Sequence, residues 1–280
     1  MRGAQVEWQT GQPLRLAAGG ATLEAQCHGP PPEEAATILM LHEGLGCVAL
    51  WRDFPERLAV ATGWGVFAWS RQGYGHSDPC PLPRPLDYMS DEALRVLPEV
   101  LDAIGLRRGV LLGHSDGASI AAIYAGSIAD HRVRGLVLMA PHLFTEPSGL
   151  AAIAAARQAY EQGDLRARLA RHHAHVDGAF RGWNDAWLDP RFAAWNITEP
   201  LAYIRVPVLA LQGEMDQYGT RAQISALEDE LYCPLEVEML ADCRHAPHLD
   251  QPERTLALVT EFIRRLGRIE AAGPAGRAAP

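Results

Sequence analysis

The pentapeptide Gly113-His114-Ser115-Asp116-Gly117 constrains this 280-residue chain more than any other stretch. It follows a short apolar run (110–112) and precedes a helical pattern (120–128). A serine between a strand and a helix in this setting sits on a sharp turn. The flanking glycines let the two backbones approach, and the strained serine is lifted above the sheet. Near neutral pH its hydroxyl is a poor nucleophile until a histidine takes the proton. Residues 243–248 (Cys-Arg-His-Ala-Pro-His) lie between the last strand pattern and the last helix pattern, which makes His245 and His248 candidate bases. An orienting acid is offered by Glu214 and Asp216, after the apolar run 208–211. The chain order serine, carboxylate, histidine is the one this strand–turn–helix architecture imposes.

The surrounding sequence alternates between two periods. Strand-like segments are read at 6–10, 21–28, 37–41, 66–69, 110–112, 135–139, 208–211 and 235–240. Helical spacing is read at 50–61, 90–104, 120–128, 222–231 and 254–266. Such alternation predicts an α/β fold, a mostly parallel central sheet flanked by helices. The rhythm breaks over 142–203, which is helical, Ala-rich and then rich in Trp and His. The expected organisation is therefore a core of 1–141 and 204–270, a helical insertion at 142–203, and a disordered Ala/Gly/Pro-rich tail at 271–280.

Composition narrows the chemistry. The net charge of −9, with no basic cluster, disfavours nucleic acid and anionic membrane surfaces as partners. The chain contains no lysine, which removes Schiff-base, pyridoxal-phosphate and P-loop chemistry. Its five cysteines form no C-x-x-C pair, so neither a disulfide framework nor a zinc site is expected. Residues 1–10 do not read as a signal peptide, and no apolar stretch of about 18 residues is present. The expected setting is cytoplasmic.

At this point the chain resembles the α/β-hydrolase superfamily, in its esterase, lactonase and C–C hydrolase branch. The resemblance covers roughly 20–267 and rests on LMLHEGLG, WSRQGYGHSDP, LLGHSDG, VLALQGEMD and CRHAPHLDQPE. It implies an α/β-hydrolase fold in which 142–203 is a cap over Ser115. It also implies Asp216 rather than Glu214 as the acid, and His245 rather than His248 as the base. Around that histidine Arg244 replaces a usual glycine and Asp250 a usual glutamate. The implied oxyanion-hole donors are the amides of Asp116 and Gly44, or of Leu45 if the register slips by one. Glu43 stands where the family usually has glycine, either packing within the loop or reaching the pocket. Residues 70–77 are similar to the family's D-x-R-G-x-G-x-S turn, with Ser70 replacing the aspartate, and are read as structural.

Within the insertion, Trp183, Trp187 and Trp195, with Phe180, Phe192 and Tyr160, supply flat apolar surface suited to an apolar or aromatic acyl group. Packing is expected to occupy two of the three tryptophans. Glu43, Trp183 and Trp187 are the candidate substrate contacts. His172, His173 and His175 are clustered, but adjacent helical positions point apart, so no metal site is expected. Cys243, near both loop histidines, is read as a coincidence of composition. The expected activity is that of a serine hydrolase of the carboxylic ester type. It would act on a small apolar or aromatic ester or lactone through an acyl-enzyme, with no cofactor. A C–C hydrolase or thioesterase could use the same triad, and a non-catalytic small-molecule receptor could retain it. A cofactor-independent oxygenase or perhydrolase is more distant, and Ser115 argues against the aspartate-dependent dehalogenases and epoxide hydrolases. The expected partner is a small-molecule substrate, with a homodimer left open.

Overall fold

Strands whose neighbours are all parallel are buried on both faces and need cover on both. In the computed structural model, which describes residues 6–272, the chain supplies that cover. The strands are β1 (Pro13–Ala18), β2 (Ala21–His28), β3 (Thr37–Leu41), β4 (Gly65–Trp69), β5 (Gly109–His114), β6 (Val133–Met139), β7 (Val208–Gly213) and β8 (Leu235–Leu240). They form one sheet in the order β1-β2-β4-β3-β5-β6-β7-β8. β1–β2 and β2–β4 pair antiparallel, and every pair from β4 to β8 is parallel.

The helices are α1 (Phe54–Thr62), α2 (Tyr88–Asp91), α3 (Leu97–Ala103), α4 (Asp116–Ser127), α5 (Pro147–Gln162), α6 (Leu165–Leu169), α7 (Val176–Trp187), α8 (Arg221–Glu230), α9 (Pro247–Asp250) and α10 (Pro252–Ala272). A π-turn, Glu92–Val96, joins α2 to α3. The two-residue strand period sorts the core into two layers. Leu39, Leu41, Leu111, Leu136 and Leu138 join Val100 of α3, Ile120 of α4 and Trp187 of α7. Their neighbours Ile38, Met40, Val110, Leu112 and Val137 face Phe54 and Leu58 of α1 and Phe262 and Ile263 of α10.

Three expectations change. No strand forms at 6–10, where Thr10 makes only an isolated bridge to Cys27. The first strand is β1, joined to β2 through Gly19 and Gly20, both at positive φ, with Ala18 opposite Ala21. Gly-Gly between alternating runs is the sequence signal for this hairpin. The helix read at 50–61 is split: a 3₁₀ turn, Val48–Trp51, precedes α1, which opens with Pro55 in its first turn. Finally, α10 runs to Ala272, so Ala271 and Ala272 are helical rather than part of a disordered tail. The rest of that tail, 273–280, lies outside the described residues.

The segment between β6 and β7 carries α5, α6 and α7, then two short 3₁₀ turns, Pro190–Ala194 and Glu199–Tyr203. Parallel strands all end on one edge, and that edge collects His42, Ser115, His142, Asp216 and His245 from the loops after β3, β5, β6, β7 and β8.

The tightest contact in this frame is at the β5–α4 turn. A Cβ on Gly113 would overlap the Gly117 carbonyl oxygen, and one on Gly117 would overlap that of Leu41. Both obstacles are backbone and cannot rotate away. Gly117→Ala is therefore expected to lose about 3 kcal/mol of stability in urea titration. Gly63→Ala, where nothing lies within 4 Å but φ is +71°, is expected to lose only about 1 kcal/mol. Equal losses in the two variants would contradict this account.

Candidate active site

Ser115 has φ +54° and ψ −120°, a conformation an L-residue holds only when its surroundings impose it. Its N–H donates to the Met139 carbonyl at 2.9 Å, and its own carbonyl accepts from Ala118 and Ser119 as α4 begins. Strand pairing on one side and helix bonding on the other thus leave the side chain at the mouth of the turn. His245 Nε2 lies 2.8 Å from Ser115 Oγ. The opposite nitrogen, Nδ1, lies 2.8 and 2.9 Å from the two carboxylate oxygens of Asp216. Facing a carboxylate, Nδ1 is the donor, and Nε2 is left to accept from the serine hydroxyl.

Asp216 is held in turn. It accepts from Gln212 Nε2 at 2.8 Å and from the Tyr218 N–H at 2.8 Å. Burial pushes its carboxyl up, but the bond and charge of His245 and the Tyr218 amide outweigh this and hold it below the usual range. Glu214 is exposed, so the turn brings Asp216 and not Glu214 to the histidine. His248 does not reach Ser115. It is buried behind the site against Trp51 and His114, with ring centroids at 4.8 and 5.2 Å.

These groups open onto a cavity of about 100 Å³ lined by Ser115, His245, Glu43, Gly44, Leu45 and Asp116 on the sheet side, with His142 and Tyr218 at its flank. Ile153, Trp183 and Trp187 close it from the segment between β6 and β7. A larger depression, about 580 Å³, lies at the other end of the sheet, where β6 and β7 begin, far from the serine. Trp183 lies directly over Gly44, where its indole would overlap any Cβ. That contact requires glycine at 44. All three candidate contacts, Glu43, Trp183 and Trp187, border the cavity. Two tryptophans therefore line it where one was expected, while Trp195 stacks on Phe192 (5.2 Å, 15°) and Tyr160 on Phe180 (3.7 Å, 7°).

Several neighbours escaped the sequence reading. Trp187 Nε1 donates to the Tyr88 hydroxyl at 3.0 Å, which donates to the buried Asp116 carboxyl. Burial pushes that carboxyl up. His142 stands 5.4 Å from His245, ring to ring, and burial, reinforced by His245, keeps it neutral, down at about 3. Its place immediately after a parallel strand was the available signal, because ligands bind at those strand ends. Tyr218 packs edge-on against His245 at 4.8 Å.

Other residues prove structural. His173 accepts from the Gly75 N–H at 2.9 Å and donates to the Leu45 carbonyl at 3.0 Å, pinning the inserted segment to two core loops. Among the described residues no group of three His, Cys, Asp or Glu is arranged to hold a metal ion. Ser70 bonds Glu24 at 2.6 Å, so β2 supplies the carboxylate absent at position 70. Burial pushes the Cys243 thiol up to about 12, which makes it a poor nucleophile. No described helix is long and apolar enough to cross a membrane.

The buried histidines make stability depend on pH. His248 is driven by burial to about 3 in the folded chain, against an ordinary value near 6.5. Its contribution is complete above pH 6.5 and is lost as pH falls from there toward 3, because the unfolded chain takes the proton first. His248→Phe is expected to flatten the pH dependence of the unfolding free energy from urea titration over that range, by up to about 1.4 kcal/mol per pH unit. An unchanged slope would mean that the folded chain accommodates the proton.

The family profile described as the alpha/beta hydrolase fold matches residues 36–193. Among solved structures, the chain is similar to the 2-hydroxy-6-oxo-6-phenylhexa-2,4-dienoate hydrolase of Rhodococcus sp. strain RHA1. The TM-score is 0.75 at 18% identity, covering 93% of this chain and 100% of that one. It is also similar to a bacterial membrane phospholipase A described as a virulence factor (TM-score 0.73, 20% identity, 91% and 86% covered). A third is the enol-lactonase of Burkholderia xenovorans LB400 (TM-score 0.69, 18% identity, 89% and 99% covered). No curated protein matches the sequence. At these identities the structural likeness speaks for the fold. With the profile matched over more than half of its length, the chain belongs to the α/β-hydrolase fold family.

Proposed function

We propose that the protein is a serine hydrolase that cleaves a small carboxylic ester or lactone through an acyl-enzyme. The observation that carries this reading is the continuous hydrogen-bonded chain Asp216–His245–Ser115 opening onto a mostly apolar cavity. In this reading Asp216 holds the His245 tautomer, and His245 takes the Ser115 proton as Oγ attacks the carbonyl carbon. The amides of Gly44 and Asp116 hold the oxyanion. Asp116 opens α4, so its N–H has no partner within the helix. His245 then returns the proton to the leaving oxygen and activates the water that frees the acid. The segment carrying Trp183 and Trp187 acts as a cap that keeps bulk water from the acyl-enzyme.

Size and charge narrow the substrate. A cavity of about 150 Å³ takes benzene, and this one, at about 100 Å³, suits a short aliphatic acyl group better than an aromatic one. Glu43 and Asp116 are among its lining residues, and no arginine is. A substrate with a free carboxylate, such as the dienoate named for the Rhodococcus relative, would meet no fixed counter-charge there. This favours a neutral ester or lactone over that C–C cleavage.

The test is labelling by a fluorophosphonate, with p-nitrophenyl esters of increasing acyl length. Labelling should vanish in Ser115→Ala, with kcat down by about 10⁶. Turnover should favour short acyl chains, and Trp183→Ala should shift the optimum to longer ones. A folded protein that neither labels nor turns over any ester would sink the proposal in favour of a ligand-binding receptor.

A further inference from the structure

The triad leaves unused a buried histidine that touches it from behind and, beside that histidine, a half-buried carboxylate whose side chain is 26% exposed. Glu43 directly precedes Gly44, and His114 directly precedes Ser115. Glu43 Oε2 lies 3.4 Å from His114 Nδ1, and the His114 side chain is 2% exposed. His114 Nε2 lies 2.6 Å from the main-chain oxygen of His245. A carbonyl oxygen only accepts, so Nε2 carries a hydrogen. A bare lone pair on Nδ1 would then face a carboxylate oxygen, two acceptors apposed at a buried ring. A proton shared between Glu43 and His114 removes that conflict. Glu43 Oε2 lies folded back over Gly46, where it would overlap a Cβ.

The surrounding groups leave His114 as the holder of that proton. His42 Nδ1 bonds the Glu43 main-chain oxygen at 2.7 Å, and its Nε2 accepts from the Arg71 N–H at 3.0 Å, which fixes a neutral ring. Arg71 spends its guanidinium on the main-chain oxygens of His42 and Glu43. His173 is neutral by the same accounting, with its two nitrogens on Gly75 and Leu45. Burial keeps His248 and His142 neutral at about 3, and lifts the Cys47 thiol to about 12. Arg52 also disfavours a charge on His248, and Asp216 favours one on His114. For the pair itself, burial opposes both charges and mutual attraction overrides it: Glu43 is held below the carboxylate range and His114 above the usual imidazole range.

We propose that Glu43 and His114 are positioning residues, a proton-sharing pair that ties the Gly44 loop, the Ser115 turn and the backbone of His245 into one unit. The pair joins three segments whose relative placement sets the Ser115–His245 distance. A misplacement of about 1 Å in such a geometry costs about 10²-fold in rate. This inference rests on the serine-hydrolase reading for its kinetic arm only.

The test follows the rate of fluorophosphonate labelling in wild type, Glu43→Ala and Glu43→Gln, beside the ¹⁵N chemical shifts of His114. Glu43→Ala is expected to label about 10²-fold more slowly. Glu43→Gln, whose amide can still bond Nδ1, is expected to recover to within about tenfold of wild type. At pH 7 the His114 ring should be doubly protonated in wild type and singly protonated, at Nε2, in Glu43→Gln. Wild-type labelling rates in Glu43→Ala, equal slowing in both variants, or a singly protonated wild-type ring would each overturn the proposal. A wild-type protein that fails to label would reject the serine-hydrolase reading instead, and the ring's protonation would still decide the pair.

Discussion

The close approach of α4 to β3 and β5 underlies everything else on the functional edge. Gly113 and Gly117 leave no room for a Cβ, and that lack of room lets a helix begin one residue after a strand has ended. Ser115 is the residue caught between them, at φ +54°. Its conformation is imposed by the sheet bond to Met139 and the first helical bonds of α4, both of which lie in the buried core. Two other non-glycine residues at positive φ, Ala140 and Asp242, stand where β6 and β8 give way to the loops bearing His142 and His245. Three strand ends are thus bent out of regular geometry, and each delivers a side chain to the same place.

The edge is rich in histidine, and the rings differ in what binds them. His42 and His173 use both nitrogens on backbone groups and serve as fixed braces. His248 and His142 are neutral because burial denies them a charge. His245 alone faces a carboxylate on one side and a hydroxyl on the other. His114 is set apart by Glu43, the residue that stands before Gly44 at the head of the loop after β3. The same imidazole thus acts as brace, filler and candidate base according to which atoms its two nitrogens meet.

Ser70 and Glu24 illustrate a different economy. The turn after β4 ordinarily has its own aspartate, and here a serine reaches across to a carboxylate on β2. That carboxylate also accepts from the His76 N–H at 3.0 Å, so the tight turn is anchored although position 70 itself carries no carboxylate.

Much of this was legible in the residues themselves, because it depends on local chemistry. Apolar runs bounded by turn residues marked β2, β3 and β8 to the residue, since period and turn chemistry act over a few positions. The G-x-S-x-G turn between a strand and a helix pointed to Ser115, and the order of the later motifs narrowed the acid and base to two candidates each. Resemblance then preferred Asp216 and His245, the pair the structure brings to Ser115. What stayed hidden depended on distance through space. Nothing near position 43 announces that its carboxylate meets His114, 71 positions away by their numbering. Nor does the composition of 142–203 reveal which tryptophans face the serine and which only stack on Phe192. Local sequence determined which groups are present and which elements carry them. Packing decided which of them meet, because the partner of a buried side chain is set by the sheet order and the helices laid across it.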